Sequence, residues 1–267
     1  MAGWEGPLKT EFVYQLQRGL RELLRRCGYA ACRIPQEQTF SDLIPDKALY
    51  QIPGDFHRYY RPWEAPEFGL TLPAEAVANT MLPMLKIYML LCLLRQTRSL
   101  SGAVLEAGVW NGGSARLLAD YLDSISAPKA LWLLDTFEGY DSIDREKDGL
   151  LPEKGQMKGK PLGEVKALFA HTRTTVHFIK GAIPGALSDV DVSELSFAHI
   201  DVNLYEPTRQ ATEFCLERMP RGGIVVFDDY NWPATYGARQ GIDEACARFG
   251  QETISIPESS QAFLIRN

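Results

Sequence analysis

The sequence predicts an α/β fold: a doubly wound, mostly parallel sheet of seven strands, with an N-terminal cap of helical and irregular structure. Short apolar segments alternate with amphipathic helical segments from about residue 80 onward. The first strand-like segment of this series ends in a glycine-rich turn that opens a helix. Later apolar segments end in acidic residues, at the sheet edge where open parallel sheets bind ligands.

The size and composition of the chain fit this fold. Its 267 residues suffice for one large domain or a domain with an appendage, and the hydrophobic content of 45% is enough for a core. We expect residues 1–77 to form the cap or an oligomerisation arm, and residues 78–267 to form the sheet domain. The net charge of −6 makes nucleic acid a poor default partner.

The sequence shows no sign of a membrane segment or a secretory route. Its longest apolar stretch, residues 81–94, contains Pro83 and Lys86 and is too short to cross a bilayer. The N-terminus lacks a signal-peptide pattern, and the five cysteines are scattered without a C-x-x-C pair. We therefore expect a cytoplasmic protein with reduced thiols.

The N-terminal part is predicted to begin with an amphipathic helix over residues 8–27. Residues 28–73 are rich in proline and aromatic residues, which argues against long regular elements and against a disordered linker. We interpret this segment as an ordered cap, over an active site or on a partner subunit, or as a plain extension of the core. Residues 80–94 are predicted to form the helix that leads into the first strand. Its predicted inner face consists of Leu82, Leu85, Met89 and Cys92.

A buried strand that ends in a glycine-rich turn is the centre of the pattern. The strand covers residues 103–105, and Gly108 and Gly112 allow backbone angles that a Cβ would hinder. A helix is predicted to begin at Ser114, and free backbone N–H groups at its start would suit an anionic or carboxylate-bearing ligand. The glycine spacing does not fit G-x-G-x-x-G, which disfavours a nicotinamide dinucleotide.

The second and third strands supply further candidates for a nucleotide-like ligand. The second strand, residues 130–135, ends in Asp135, whose carboxylate can accept hydrogen bonds from two ribose hydroxyls. A role as a cap or turn residue is the alternative. The third strand, residues 175–181, ends in Gly181, on the expected adenine side of the pocket. Residues 140–160 are predicted to form a mobile loop near the site.

Acidic residues also end the fourth and fifth strands. Asp201 ends the strand over residues 195–201, and Asp228 and Asp229 lie in the strand segment 222–230. Neighbouring parallel strands would bring these carboxylates together, and a hard divalent cation such as Mg²⁺ would relieve their repulsion. The alternative is that these acids cap turns.

The remaining segments complete the alternation of strands and helices. Helices are predicted over residues 162–169, 209–219 and 237–249, and residues 253–256 and 261–265 are predicted to form a closing antiparallel pair. This order of elements is typical of a doubly wound sheet.

The spacing Glu106-x-Gly108-x-x-x-Gly112-x-Ser114 resembles motif I of class I methyltransferases, which bind S-adenosylmethionine. In combination, several stretches resemble the macrocin O-methyltransferase family, whose members methylate sugar hydroxyls of antibiotics with S-adenosylmethionine and Mg²⁺. These stretches are residues 80–81, 106–114, 134–139, 180–181, 199–208 and 222–230. The resemblance implies a Rossmann-like class I methyltransferase domain over residues 78–267.

The resemblance also implies a role for each candidate residue. Asp201, Asp228 and Asp229 would hold the metal, and Asp201 and Asn203 would occupy the catalytic position. The residues implied to line the cofactor site are Thr80, Met81, Glu106, Gly108, Trp110, Ser114, Asp135, Thr136, Phe137, Gly139 and Gly181. Mg²⁺ would bind vicinal hydroxyls of a small glycosylated acceptor, lower the pKa of the attacking oxygen and orient it toward the methyl group. Self-association as a homodimer or higher homo-oligomer is implied as well.

One position departs from the pattern of the family. Relatives have Asp-Val-Asp-Leu-Tyr where this chain has Asn203 as the third residue of residues 201–205, and an amide cannot accept a proton at neutral pH. Either Asp201 or a metal-bound hydroxide takes the proton, or the acceptor is acidic enough to need no base, or the chain is slow. The alternatives to a sugar acceptor are a catechol-like or other small hydroxylated molecule, and a cofactor-binding homologue that has lost catalysis.

The histidines are further candidate bases: His57, His171, His177 and His199. His57 lies in the aromatic cap and is the one to test, whereas His177 and His199 fall within predicted strands. We expect these two in the core or behind the site.

Overall fold

The computed structural model describes residues 62–64, 72–125, 129–149, 152–256 and 259–267. The chain divides into two compact units, Met1–Arg61 and Pro62–Asn267, and all described residues belong to the second. The predicted helix over residues 8–27, His57, and most of the proline- and aromatic-rich segment lie outside the described residues. The domain boundary expected after residue 77 stays a prediction.

A seven-stranded sheet forms the centre of the described unit. Its strands are β1 (Ala103–Ala107), β2 (Leu131–Asp135), β3 (Val176–Lys180), β4 (Leu195–Ile200), β5 (Ile224–Phe227), β6 (Ile254–Ser255) and β7 (Ala262–Ile265). Their spatial order is β3-β2-β1-β4-β5-β7-β6. The pairs among β1 to β5 are parallel, whereas β7 lies antiparallel between β5 and β6. The predicted mostly parallel sheet with a closing antiparallel pair is confirmed.

Helices connect the strands and cover both faces of the sheet. In the described ranges they are α1 (Ala74–Ala78), α2 (Met84–Gln96), α3 (Gly113–Ser124), α4 (Leu162–Ala167), α5 (Tyr205–Arg218) and α6 (Tyr236–Arg248). Short 3₁₀ helices cover Pro62–Glu64, Gly185–Asp189 and Pro233–Thr235.

The starts of two helices differ from the prediction. α2 begins at Met84 and not at residue 80, because Pro83 has an extended backbone and caps the helix. α5 begins at Tyr205 and not at residue 209, because Pro207 falls in the first turn, where a missing N–H breaks no helical hydrogen bond.

The predicted inner face of α2 is wrong. Leu85 is exposed, and Leu82, which precedes the helix, is only half-buried, as are Met89 and Cys92. The buried side chains of this helix are Ile87, Leu90, Leu91, Leu93 and Leu94. Because almost every residue of α2 is apolar, its periodicity does not single out a face. The contacts of α2 with α3 and β5 decide which face is buried.

Apolar side chains cover both faces of the sheet. Neighbouring residues of a strand point to opposite faces, so Val104 joins the core beneath α2 and α3, and Leu105 joins the core beneath α5 and α6. The strand order reverses between β1 and β4. Such a reversal opens a crevice at the carboxyl ends of the strands.

Among the described residues, no helix combines the length and the apolar character that a membrane crossing requires. The cysteines of this part of the chain, Cys92, Cys215 and Cys246, are free. Burial raises the pKa of Cys215 and of Cys246 to about 12. These two thiols are therefore protonated and unreactive at neutral pH.

Asp123, at the end of α3, provides a test of the fold. Its carboxylate accepts hydrogen bonds from the N–H groups of Arg173 at 2.8 Å and Thr174 at 2.7 Å, and from the Thr174 hydroxyl at 2.6 Å. Partial burial raises the pKa of Asp123, but these hydrogen bonds outweigh it, and the net pKa is lowered. Because the group is partly exposed, we expect Asp123→Asn to lower the free energy of unfolding by only about 1 kcal/mol at pH 7 in urea denaturation.

The pH dependence of this difference follows from the direction of the shift. The folded-state pKa of Asp123 lies below the ordinary value of 3.8, so the carboxylate stabilises the fold above pH 3.8. This contribution disappears as the pH falls through the folded-state pKa, and wild type and variant converge. A difference that stays constant down to that pH would mean that the ionised carboxylate is not its cause.

Candidate functional site

A cavity of about 600 Å³ opens at the carboxyl ends of the strands. The turns after β1, β2, β4 and β5 and the start of α2 build its wall. The predicted site residues that line it are Met81, Gly108, Trp110, Asp135, Thr136, Gly139, Gly181, Asp201, Asn203, Asp228 and Asp229. The volume is in the range of sites for small molecules and cofactors.

The turn after β1 is held by the acid that ends β2. Asp135 Oδ2 accepts hydrogen bonds from the N–H groups of Val109 and Trp110 at 2.7 and 2.8 Å, and Oδ1 accepts one from Phe137 at 2.7 Å. An internal carboxylate therefore binds the N–H groups of Val109 and Trp110 in this turn. The expectation of free N–H groups at the start of the following helix stays a prediction. A carboxylate offers about four acceptor positions. The Thr136 hydroxyl lies 3.4 Å from Oδ1, but its single proton is donated to the Gly139 carbonyl at 2.7 Å, so Oδ1 keeps one position for a ligand hydroxyl.

Gly108 brings this turn against the end of β4. Its φ is +88°, and an added Cβ would lie 1.8 Å from the carbonyl oxygen of Asp201. The backbone of Asp201 in turn donates a hydrogen bond from its N–H to the Ala107 carbonyl at 2.8 Å. Only glycine fits this conformation and this approach without strain, so Gly108 sets the spacing between the two halves of the cavity.

Some predicted cofactor residues do not line the cavity. Glu106 and Ser114 are buried behind it, and Phe137 belongs to the core between α3 and the sheet. The hydroxyl of Thr80 accepts a hydrogen bond from the N–H of Leu82 at 3.1 Å. Contact of these four residues with a cofactor stays a prediction.

The predicted acids meet across β4 and β5. The parallel register of these strands sets Asp201 beside Asp228, with Asp229 following. Asp228 Oδ2 accepts a hydrogen bond from the Lys86 ammonium at 2.5 Å, and Oδ1 accepts one from the Gln261 amide at 3.0 Å. One ammonium cannot neutralise three carboxylates, so their mutual repulsion persists.

The pKa values of the acids reflect this crowding. Burial, followed by the charges of Asp228 and Asp229, raises the pKa of Asp201 well above its usual range, and Lys86 opposes the shift. Burial and the charge of Asp228 raise the pKa of Asp229 to about 7. A divalent cation among these oxygens would relieve the repulsion and favour the ionised carboxylates.

A buried histidine stands beside the same acids. His199 in β4 and Glu106 in β1 are register partners and are fully buried, and His199 Nδ1 lies 2.7 Å from Glu106 Oε1. A ring nitrogen of His199 and one carboxylate oxygen each from Asp201 and Asp228 lie within 4.8 Å of one another. Within the described ranges, Asp229 does not belong to this set.

Asn203 connects Asp229 with Tyr140. Its φ is +63°, a left-handed conformation that asparagine and aspartate tolerate better than most residues. The Asn203 amide oxygen accepts a hydrogen bond from the Tyr140 hydroxyl at 2.7 Å, and its nitrogen donates to Asp229 Oδ2. Burial raises the pKa of Tyr140 to about 12, so its hydroxyl is a donor at neutral pH.

The site predicted from the sequence does not include Lys86, Tyr140 or Gln261, and His199 was expected only in the core or behind the site. The sequence contains a hint of a site role for Lys86, since it is the one charged residue of the apolar stretch 81–94. It also contains one for His199, because His199 lies two residues before Asp201 on the same face of the strand. Tyr140 and Gln261 lie in connecting segments without a motif, and only the folded chain brings them to the acids.

Comparisons with known proteins agree with this geometry. The sequence profile of the macrocin O-methyltransferase (TylF) family matches residues 68–256. The 8-demethyl-8-(2,3-dimethoxy-alpha-L-rhamnosyl)-tetracenomycin-C 4'-O-methyltransferase of Streptomyces olivaceus is 29% identical over 158 residues, which cover 56% of this chain and 59% of the relative. The match thus spans less than two thirds of that relative. Mycinamicin III 3''-O-methyltransferase of Micromonospora griseorubida is 24% identical over 200 residues, or 70% of this chain and 77% of the relative.

Solved structures share the fold of the described unit. The O-methyltransferase NovP superimposes with a TM-score of 0.60 at 22% identity, over 71% of this chain and 82% of NovP. The calicheamicin methyltransferase CalS11 superimposes with a TM-score of 0.59 at 19% identity, over 78% of this chain and 94% of CalS11. The family profile spans α2 and β1 to β5, whose ends build the cavity, and covers more than half of the sequence. This chain therefore belongs to the macrocin O-methyltransferase family.

Proposed function

We propose that this protein transfers a methyl group from S-adenosylmethionine to a hydroxyl of a sugar on a natural product, with Mg²⁺ as the metal. The observation that carries the proposal is the meeting of two sets of residues in one cavity of about 600 Å³. The turns after β1 and β2 suit a nucleoside, and the acids after β4 and β5 suit a cation that binds hydroxyl oxygens. Methyl transfer to a hydroxyl requires that the cofactor and the acceptor hydroxyl are held next to each other.

The cofactor half of the cavity is supported by the ends of β1, β2 and β3. Gly108, Asp135 and Gly181 all line the cavity. The remaining acceptor capacity of Asp135 suits a ribose hydroxyl, and the apolar side chains of Met157 and Ile183 suit a planar base. Bound S-adenosylmethionine supplies an electrophilic methyl group at this site.

The acidic half supports the metal. Asp201, Asp228 and Asp229 carry more negative charge than Lys86 neutralises, and carboxylate oxygens are the ligands that Mg²⁺ prefers. We assign these three residues as its carboxylate ligands. When bound, Mg²⁺ supplies a Lewis acid that lowers the pKa of an alcohol.

As the acceptor oxygen bonds to the methyl carbon, the bond from that carbon to the sulfonium sulfur would break and leave S-adenosylhomocysteine, and the proton of the hydroxyl has to go to a base. We assign Asp201 as its acceptor, because Asp201 lines the cavity and a carboxylate oxygen can accept a proton. Asn203 cannot accept this proton. It acts as a positioning residue that holds the carboxylate of Asp229 and the hydroxyl of Tyr140.

A sugar acceptor is supported by the relatives and by the mouth of the cavity. The relative from Streptomyces olivaceus is named for methyl transfer at a rhamnosyl-tetracenomycin. Trp232 lines the cavity and is 57% exposed, so its indole offers a surface on which a sugar can stack. An aromatic acceptor would stack there equally well, which keeps a catechol-like molecule as the alternative.

We also infer a cytoplasmic protein that self-associates through its N-terminal part. Light scattering tests the second inference, and the mass of a single chain would contradict it.

The proposed reaction is tested with S-adenosylmethionine that carries an isotope label in its methyl group. The protein is incubated with Mg²⁺ and with glycosides, matched aglycones or catechols, and transfer of the label is followed by mass spectrometry. We expect label on glycosides but not on aglycones, and loss of transfer with EDTA. Label on catechols alone would change the acceptor class. Cofactor binding without any transfer would favour the homologue that has lost catalysis, and absence of cofactor binding would overturn the proposal.

Asn203→Asp separates positioning from proton transfer. The variant loses the N–H donor to Asp229 and places a like charge against it, so we expect the free energy of unfolding to fall by about 1–2 kcal/mol without divalent cations. Saturating Mg²⁺ should restore this loss, because the cation neutralises the added charge. Urea denaturation with and without Mg²⁺ measures the free energy of unfolding in the two conditions.

A matched control and an activity assay complete this test. Gln251→Glu removes amide hydrogen bonds to the Phe249 and Gly250 carbonyls, and none of these three residues lines the cavity, so its loss of stability should not respond to Mg²⁺. An Asn203→Asp variant that Mg²⁺ does not stabilise would contradict the placement of Asn203 beside the metal. Methyl transfer that appears only in this variant would identify the natural chain as impaired.

A further inference from the structure

Glu106 and His199 form a buried polar pair to which the proposed reaction gives no role. They lie on the neighbouring strands β1 and β4, both fully buried, with His199 Nδ1 2.7 Å from Glu106 Oε1. Among the described residues, His199 Nε2 is buried and has no hydrogen-bond partner. Buried polar atoms are almost always paired, so an unpaired ring nitrogen indicates a ligand.

The partner of Nδ1 determines what Nε2 can do. The Glu106 carboxylate can only accept a hydrogen bond, so Nδ1 of the neutral ring carries the proton and Nε2 carries the lone pair. Histidines that bind metals almost always donate their other ring N–H to a carboxylate or carbonyl in this way. The ring of His199 is therefore held in the form that binds a metal.

The neighbours of the ring supply the rest of a site. A ring nitrogen of His199 and carboxylate oxygens of Asp201 and Asp228 lie within 4.8 Å of one another. Atoms that bind one cation at about 2.0–2.3 Å lie up to about 4.5 Å apart, so small side-chain movements suffice. Lys86 and Gln261 each use one lone pair of an Asp228 oxygen, and the second lone pairs stay available.

We propose that His199 binds, through Nε2, the same divalent cation that Asp201 and Asp228 hold, and that the site therefore binds Mn²⁺ more tightly than Mg²⁺. The proposal rests on the proposed function for the presence of a cation, but not for the identity of the acceptor. Imidazole nitrogen is a good ligand for transition metals, whereas Mg²⁺ prefers a shell of oxygen atoms. Glu106 is then a positioning residue that fixes the ring of His199.

Pulsed electron paramagnetic resonance of the Mn²⁺-loaded protein tests the nitrogen ligand directly. We expect modulation from a coordinated ¹⁴N nucleus in unlabelled protein. In protein that carries ¹⁵N only in its histidines, this modulation should change to that of ¹⁵N. The selective label separates a histidine from the ammonium of Lys86, which would stay ¹⁴N.

The sequence contains four histidines, so the source of the signal can be assigned by elimination. The triple variant His57→Gln, His171→Gln, His177→Gln leaves His199 as the one remaining histidine, and its buried ring stays untouched. Histidine modulation that persists in this variant supports the proposal. Absence of histidine modulation in wild type, or its loss in the triple variant, would overturn it. If Mn²⁺ binds without coupling to a histidine, the role of His199 is refuted but the proposed methyl transfer is not. If Mn²⁺ does not bind at all, the metal dependence of the proposed methyl transfer is refuted as well.

Calorimetric titration gives the expected size of the effect. His199→Gln should weaken Mn²⁺ binding by at least the roughly 10-fold to 100-fold that the loss of an outer-shell partner costs, because here the ligand itself is removed. Mg²⁺ binding should weaken less, because the glutamine amide can offer an oxygen. His177→Gln is the matched control, since His177 in β3 stacks on Trp132 in β2 and does not line the cavity. An equal loss for both cations would contradict the preference for Mn²⁺.

Discussion

Replacement of Gly108 by alanine is expected to lower the free energy of unfolding by about 3 kcal/mol or more and to abolish binding of S-adenosylmethionine. The residue has a φ of +88°, which strains any residue with a Cβ, and the new Cβ would lie 1.8 Å from the carbonyl oxygen of Asp201. The turn after β1 and the turn after β4 would have to separate. Urea denaturation measures the stability, and calorimetric titration measures the cofactor affinity.

Gly163→Ala is the matched control for this variant. Gly163 lies in α4 without a positive φ, and an added Cβ would meet no atom within 4 Å. Alanine favours a helix, so this variant should be more stable than wild type by about 0.5–1 kcal/mol. If Gly108→Ala unfolded at the denaturant concentration of wild type, the close approach between the two turns would be refuted.

Replacement of Asp228 by asparagine is expected to reduce Mg²⁺ affinity and metal-dependent methyl transfer by more than about 100-fold, beyond what removal of an outer-shell partner costs. The substitution removes a charged ligand but keeps the shape of the side chain. Its neighbours can adapt, because Oδ1 of the asparagine still accepts from Lys86, and the Gln261 amide can turn its unpaired oxygen toward the new N–H group. The folded state and the cofactor affinity should therefore change little.

Asp243→Asn removes the same charge outside the cavity. Asp243 is exposed in α6 and accepts a hydrogen bond from the Tyr230 hydroxyl at 2.7 Å. We expect unchanged Mg²⁺ affinity and unchanged activity in this control. Undiminished Mg²⁺ binding by a folded Asp228→Asn protein would show that Asp228 is not a metal ligand.

The layout of the fold could be predicted from the sequence because it depends on local patterns. The apolar runs at residues 103–107 and 131–135 are too short for helices and too apolar for an exposed sheet. The starts of α2 and α5 were less predictable. Pro83 delays the start of α2 to Met84, whereas Pro207 fits into the first turn of α5. The face that α2 buries was not predictable, because an almost uniformly apolar helix lacks the alternation of apolar and polar residues that distinguishes a buried face from an exposed one.

The candidate site could be predicted in part for the same reason. Gly108, Asp135 and Asp201 stand at the ends of strands, and parallel strands carry their ends to one edge. What these residues contact could not be predicted. Asp135 accepts hydrogen bonds from the turn after β1, and Asp228 accepts hydrogen bonds from Lys86 and Gln261, which lie in distant segments.

The sequence by itself determined the order of strands and helices, the glycine turn, and the acids at the sheet edge, because spacing along the chain encodes them. Only the tertiary structure decided that a ring nitrogen of His199 lies within 4.8 Å of carboxylate oxygens of Asp201 and Asp228, and that Asn203 holds Asp229 and Tyr140. The register between neighbouring strands and the packing of α2 over their ends set these contacts. They join residues far apart in sequence, and no local pattern records which partners the folded chain brings together.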